Sequence, residues 1–471
     1  MEYPQTPNSQ LDEFFDEPTS DLDEKMQNQG GRVALNENLP PKRKEKVKVG
    51  TVLLAVGIAL VSFLGGYFTH WGLLDAEMRS LINVKRAIDQ NYYTEIDNDT
   101  FYGALFDVIN DKLLDSYSKY MTADEYAAVN ESATGKWSGL GLTFLTEDEL
   151  GQEQMRIIKV SGNSPAERLG IMEGDEVVGF GAVDGEMIES RSFDAFLAFT
   201  QAYNQGEAFC VRIMSGEQSR VVTITKETFV ENYVFYRSNT TAYGFGGENA
   251  TEIKTLNNSL AALGQDTAYI RLTQFNGGAA TQFASTMSVF KQENKKNLIL
   301  DLRANGGGYL DVLCEIAAYF CKDTSEKQPA VALAVNKDGV EQAYTAKKNV
   351  YSEYFSSDSR ICVLADASSA SASECLLGAM LDYKTIGYAD ICLSQRGGVA
   401  KTFGKGIMQM TYPFGLVNTD AIKLTTSRIC WPISKNCIHD RGILPEDGTK
   451  TVAENYQKDV ELVAAIAALG L

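Results

Sequence analysis

The sequence predicts an α/β protein in which a core with a mixed sheet follows an α+β insert of about ninety residues, a helical neck and one N-terminal transmembrane helix. Three observations carry this. After Glu227, strand-like runs (268–272, 297–302, 361–366) alternate with helical ones (281–292, 309–320, 373–381), a pattern that builds a layer with part-parallel strands. Between 135 and 227, short alternating strands surround two helical stretches. From Val49 to Phe68 the chain reads VGTVLLAVGIALVSFLGGYF, about twenty residues without a charge. At 1.5 Å per residue such a run spans a hydrocarbon core of about 30 Å.

Composition bounds the rest. A chain of 471 residues is long enough for two or three domains, and 44% hydrophobic with 22% charged residues is the balance of a folded protein. The formal net charge of −19 would repel a phosphate backbone, so nucleic acid is excluded as a partner class. Only His70 and His439 are histidines, which leaves histidine-dependent catalysis one candidate outside the apolar segment. The eight cysteines form no CxxC pair and no zinc-spaced cluster, so no metal is expected. Cys430 and Cys437 are close enough to bridge across a turn, but buried free thiols are the plainer reading.

Taken in chain order, residues 1–48 are acidic, without apolar periodicity, and are expected to be a cytoplasmic disordered tail. Residues 49–69 are the expected transmembrane helix, too long for a signal h-region and preceded by too many residues for an n-region. Lys42, Arg43, Lys44, Lys46 and Lys48 lie upstream and Asp75 and Glu77 downstream, so the positive-inside rule puts the amino terminus in the cytoplasm and the rest outside. Residues 75–130 show apolar positions three and four apart (Met78, Leu81, Ile82; Leu105, Val108, Ile109) and form the expected neck, whose amphipathic faces make self-association plausible. Residues 135–227 hold the glycine-punctuated SGLGL at 138–142, then SPAERLGIMEGDEV from Ser164 and Val183-Asp184-Gly185. This region resembles a PDZ domain. The resemblance implies a groove in which a peptide tail adds as a strand, its terminal carboxylate held by backbone amides near Gly139, Leu140 and Gly141. Residues 228–471 form the α/β core.

Two glycine- or serine-rich corners in that core stand where such sheets place their chemistry, at the carboxyl ends of strands: Asp301-Leu-Arg-Ala-Asn-Gly-Gly-Gly308 and Asp366-Ala-Ser-Ser-Ala-Ser-Ala-Ser-Glu374. An isolated serine before a helix is usually only a cap. Here a buried strand delivers small residues to a helix start, which favours attack on a carbonyl with backbone amides as anion donors. A serine needs a base, and Thr402-Phe-Gly-Lys-Gly-Ile-Met-Gln409 places Lys405 between glycines in an apolar stretch. To be neutral near pH 7 a lysine must fall roughly three units, about 4 kcal/mol, which burial is able to supply.

Five motifs in order, LDSYSKYMT at 114–122, LDLRANGGG at 300–308, SASASE at 369–374, TFGKGIMQ at 402–409 and GILPE at 442–446, are similar to those of the carboxyl-terminal processing peptidases, S41-type serine peptidases with a PDZ domain and a Ser/Lys dyad. The resemblance covers about 390 residues. It implies Ser371 as nucleophile, Lys405 as base, Gln409 as the residue that orients the lysine, and the N–H groups of Ala372 and Gly307 as oxyanion donors. No cofactor is implied. Two departures stand out: the segment between Asp382 and Lys405 is about nine residues longer than usual for the family, and Gly306 replaces a common proline.

The expected function is a membrane-anchored serine endopeptidase acting on protein or peptide substrates with accessible C-termini outside the cytoplasm. The alternatives are a non-catalytic membrane scaffold that binds such tails and, more weakly, a hydrolase using His439.

Overall fold

The computed structural model describes residues 74–147, 151–239, 242–246, 249–252, 263–322, 324–395, 398–416, 419–453 and 460–470. The expected tail and the span at 49–69 lie outside the described residues, among which no helix is long and apolar enough to cross a membrane. The chain divides between Ile96 and Asp97. In the first unit the helix Ala76–Asn91 is opened by Asp75, whose carboxylate accepts the Met78 N–H at 2.7 Å.

In the second unit an eight-stranded sheet runs in the order Asn249–Glu252, Ala242–Gly246, Val234–Arg237, Thr267–Leu272, Asn297–Asp301, Ile361–Ala365, Ile391–Ser394, Lys450–Val452. Pairing is antiparallel up to Thr267–Leu272 and parallel beyond it. The mixed sheet is the one the sequence pattern predicts. The parallel strands are buried on both faces, which is why they read as unbroken apolar runs. Ala268, Ile270, Leu298, Leu300 and Val363 pack with Phe283, Leu313 and Leu376 of the helices Ala279–Gln292, Leu310–Ala317 and Ala372–Asp382. The alternate residues Tyr269, Ile299, Cys362 and Leu364 pack with Leu462 and Ile466 of the helix Val460–Leu469.

A second, antiparallel sheet joins Lys119–Met121, Ala421–Cys430, Ala330–Asn336 and Glu341–Thr345, with Ile407–Pro413 also paired to Ala421–Cys430. Its first strand corrects the expected all-helical neck. After the helix Asn98–Val108 and the π-helical turn Ile109–Leu113, residues Lys119–Met121 become a strand because Tyr120 and Met121 bury themselves beside Ala421–Cys430. Helix resumes at Ala123–Ala133. The long segment after Asp382 contributes the core strand Ile391–Ser394, held between Ile361–Ala365 and Lys450–Val452.

The insert has its own core of Met155, Ile157, Phe180, Phe196, Phe209 and Ile213. Its six-stranded sheet starts at an edge strand, Leu142–Glu147, followed by Glu153–Val160, Glu176–Ala182, Ala208–Ser215 and Gln218–Thr225, with Ile188–Glu189 on the side. The short helix Pro165–Arg168, capped by Ser164, and the helix Phe193–Gln201 complete a PDZ-like α+β unit. Lys136–Gly139 pairs with Glu227–Val230 and closes the two ends of the insert together.

Candidate active site

Three loops meet beyond the carboxyl ends of the parallel strands. The first leaves strand Asn297–Asp301. Asp301 accepts from Arg303 Nε and Nη2 (2.5 Å to the latter) and from the Tyr269 hydroxyl at 2.6 Å. Burial opposes its charge, but the Arg303 guanidinium outweighs that and holds the carboxyl down at about 2. The chain then turns through Ala304, at φ +58°, whose N–H donates to the Asp366 carboxylate. Fully buried Asn305 donates from Nδ2 to the Leu272 carbonyl at 2.7 Å. Gly307, at φ +97°, passes so close to the serine corner that a Cβ there would meet Ala372 N and Ser371 Cβ, each at 2.8 Å.

That serine corner is the second loop. Ser371 sits between strand Ile361–Ala365 and helix Ala372–Asp382 with φ 57° and ψ −115°, a conformation that strains any residue with a Cβ. A sharp turn of this kind from strand to helix presents a serine hydroxyl outward. Its neighbours are spent on holding the bend. Ser369 Oγ donates to the Leu302 carbonyl at 2.8 Å, Ser373 Oγ to the Asn305 carbonyl at 2.9 Å, and the Ala370 N–H to the same carbonyl at 3.0 Å.

The third loop carries Lys405. Gly404 takes φ +92° and a Cβ there would also collide with the backbone of Arg441 and Gly442, while one at Gly406 would meet His439 N at 2.8 Å. The Gly442-Ile-Leu-Pro segment is therefore a brace, and Thr402 N donates to the Ile443 carbonyl at 3.0 Å.

One buried carboxylate ties the second loop to the third. Glu374 Oε1 accepts Thr402 Oγ1 at 2.6 Å and Gly404 N at 2.8 Å. Its Oε2 accepts Ser371 N at 3.0 Å and Lys405 N at 2.9 Å. The backbone nitrogens of serine and lysine are thus no farther apart than those two bonds laid end to end. Burial pushes the Glu374 carboxyl up, against the pull of the Thr402 hydroxyl and the three N–H donors. Desolvation lowers the proton affinity of Lys405, Lys423 lowers it further, and Asp115 opposes both. The amine stands 4.9 Å from the centre of the Tyr117 ring. Among the described residues, no hydrogen bond joins Ser371 Oγ to Lys405 Nζ.

Residues 266–447, which contain all three loops, match the profile described as Peptidase family S41. The chain is 27% identical over 406 residues to a probable CtpA-like serine protease of Staphylococcus saprophyticus, covering 85% of this chain and 72% of that protein. It is 25% identical over 404 residues to one of Staphylococcus aureus, covering 85% and 71%. These similarities support the expected resemblance to the S41 peptidases. Its enzyme class is that of a serine peptidase. Among solved structures, the chain is similar to the photosystem II D1 C-terminal processing protease, with 20% identity, TM-score 0.45, and 81% and 94% of the two chains covered. An S41 protease from Bacteroides fragilis gives 14% identity and TM-score 0.47, with 81% and 91% covered.

Within the core, the structure bears on two of the expected roles. Gly307 is expected to donate to an oxyanion, but its N–H already donates to Asn305 Oδ1 at 2.9 Å, and that side chain is locked by its own bond to Leu272. The Ala372 N–H, by contrast, makes no hydrogen bond among the described residues. Gln409, expected to orient the lysine, lies within strand Ile407–Pro413 and donates to Thr425 Oγ1 at 3.4 Å, and the Thr425 side chain also bonds Asp115, which acts on the Lys405 amine. His439 Nε2 lies 3.7 Å from the exposed Asp440 carboxylate, and no hydrogen bond connects it with Ser371 among the described residues.

In the insert, a groove of about 540 Å³ runs between the edge strand Leu142–Glu147 and the helix Phe193–Gln201, floored by Phe144, Phe196 and Phe229. Gly139, Leu140 and Gly141 line one end. The carbonyls of Leu140 and Gly141 are taken by Ala166 N and Ser161 N, while the N–H groups of Leu140 and Gly141 make no hydrogen bond among the described residues. Glu374 is the site residue that sequence reasoning passed over. Its signal was present, a capping-box spacing of Ser371-Ala-Ser-Glu374 at the helix start.

Proposed function

We propose that this chain is a membrane-anchored endopeptidase that captures C-terminal tails of proteins outside the cytoplasm and cleaves them through a Ser371/Lys405 dyad. The observation that carries the reading is the single Glu374 carboxylate binding the backbone N–H groups of both Ser371 and Lys405. Two loops thirty-four residues apart are fixed together by it, one presenting a strained serine and the other a partly desolvated amine.

A tail adds to the edge strand Leu142–Glu147, with its carboxylate on the N–H groups near Leu140 and Gly141. Lys405 Nζ takes the proton of Ser371 Oγ as the oxygen attacks the scissile carbonyl. The Ala372 N–H faces the developing oxyanion, a donor worth around 3 kcal/mol in the transition state. The ammonium returns its proton to the leaving amine, an acyl-enzyme remains, and water activated by the same amine releases it. The uncharged run 49–68 with its basic upstream flank supports the anchor and the external placement of the peptidase.

The absent Ser371–Lys405 hydrogen bond and the committed Gly307 N–H favour a second reading, a scaffold that binds tails without turnover. Hydrolysis of an unstructured peptide with a free apolar carboxyl terminus separates the two. The peptidase reading expects turnover by the full chain that Ser371→Ala and Lys405→Ala each abolish, whereas turnover that survives either substitution removes the dyad.

A further inference from the structure

The turn Leu114–Ser118, part of the neck motif LDSYSKYMT, brings Tyr117 against the Lys405 amine. Lys405 Nζ stands over the Tyr117 ring at 4.9 Å, inside the range at which an aromatic face attracts a cation. Asp115 accepts the Tyr117 N–H at 3.0 Å. Burial works against its charge, but hydrogen bonds from the Ser118 and Thr425 side chains and from the N–H groups of Tyr117 and Ser118 outweigh it. The carboxyl is held below its ordinary range and is an anion at neutral pH.

The turn is also pinned to the strands that carry the lysine loop. Thr425 N donates to Ser118 Oγ at 2.8 Å, and Thr425 belongs to Ala421–Cys430, the partner of the strand that starts at Ile407. The groups around the amine can be named element by element. The turn supplies Asp115 and Tyr117, the strand Ala421–Cys430 supplies Lys423, and the helix Ala372–Asp382 supplies Glu374, which holds the Lys405 backbone. From the segment 437–442, Arg441 is paired with Asp447 and His439 lies beside Asp440.

We propose that the turn Leu114–Ser118 controls the proton affinity of Lys405: the Asp115 carboxylate and the Tyr117 ring stabilise its ammonium against the Lys423 charge, and so set the pH at which the amine becomes a base. Asp115 and Tyr117 are positioning residues, acting through the lysine, and the proposal rests on reading Lys405 as the base. Removing the carboxylate or the ring weakens the ammonium, so the amine is neutral at lower pH and the acid limb of kcat/KM moves down. Removing the Lys423 charge moves that limb up.

The test is the kcat/KM–pH profile of the full chain in detergent, with a quenched-fluorescent unstructured peptide ending in a free apolar residue. On the acid side, Asp115→Asn and Tyr117→Leu are expected about two- to fivefold higher relative to their own plateaus than the parent, and Lys423→Gln lower by a similar factor. Tyr117→Phe keeps a ring and is expected to bring the limb back to the parental position. A turn that serves only as structure would lower the plateau and leave the limb in place. Coincident limbs in the charge variants, or limbs moving in the same direction, overturn the proposal. Should Asp115→Asn fail to fold, Lys423→Gln and the Tyr117 pair still decide it. Parental activity in Lys405→Ala is a separate outcome that removes the base itself.

Discussion

Ser371 is held where a side chain is uncomfortable, at φ 57° and ψ −115°, and such a conformation costs about 1–3 kcal/mol unless its surroundings enforce it. The enforcement comes from Glu374, Asn305 and the hydroxyls of Ser369 and Ser373. Glycine adopts these angles without the Cβ penalty, so Ser371→Gly is expected to raise unfolding stability by about 1 kcal/mol while abolishing turnover. A thermal melt of Ser371→Gly below that of Ser371→Ala would contradict the strain. Glu374 has no exposed surface and binds four donors with two oxygens. Glu374→Gln sets an amide NH2 against part of that donor set and lets the two loops part. Turnover is expected to fall about a hundredfold, the scale of a misplacement near 1 Å. An unchanged kcat in a folded Glu374→Gln chain would show that the carboxylate does not align the dyad.

At the scale of elements, the glycine corner and the serine helix form one packed unit. Gly307→Ala forces a Cβ to within 2.7 Å of the Ala370 carbonyl at a backbone φ of +97°, and is expected to destabilise the chain by about 1–3 kcal/mol, read as a lowered denaturant midpoint. This corner was legible in the sequence because buried parallel strands read as apolar runs and glycines marked the turns after them. The groove of the insert was legible for a similar reason, since Gly139 and Gly141 of its glycine-punctuated loop line one end of it. Other parts were not. Lys119–Met121 is too short to show a period of two, and the strand it joins is some three hundred residues away. The commitment of the Gly307 N–H depends on which way the Asn305 side chain turns, and the bond of Gln409 to Thr425 depends on the pairing of two strands. Such facts are set by packing between distant segments and leave no local pattern. The closeness of Tyr117 to Lys405 is of the same kind, 288 positions apart in one chain.

For the whole molecule, the insert and the core are joined by the Lys136–Gly139 and Glu227–Val230 pair and by Lys159, which lines the groove and lies 3.0 Å from buried Glu231 of the core. Capture of a free carboxylate predicts that amidating the last residue of a peptide substrate weakens its binding at least about tenfold, since charge-assisted hydrogen bonds contribute roughly 1.5–3 kcal/mol; equal affinity measured by competition would contradict the capture. The core also carries a pH signature. Asp301 titrates at about 2 instead of the ordinary value near 4, so its contribution to stability is full above that ordinary value and is lost as pH falls toward 2. Asp301→Asn should remove this part of the acid dependence in denaturant titrations. The central claim, that the Lys405 amine activates Ser371, is tested most directly by the rate at which a fluorophosphonate probe acylates the full chain. The parent is expected to label at Ser371, Lys405→Ala at least about a hundredfold more slowly, and Ser371→Ala not at all. Labelling of Lys405→Ala at the parental rate, on the same serine, would contradict it.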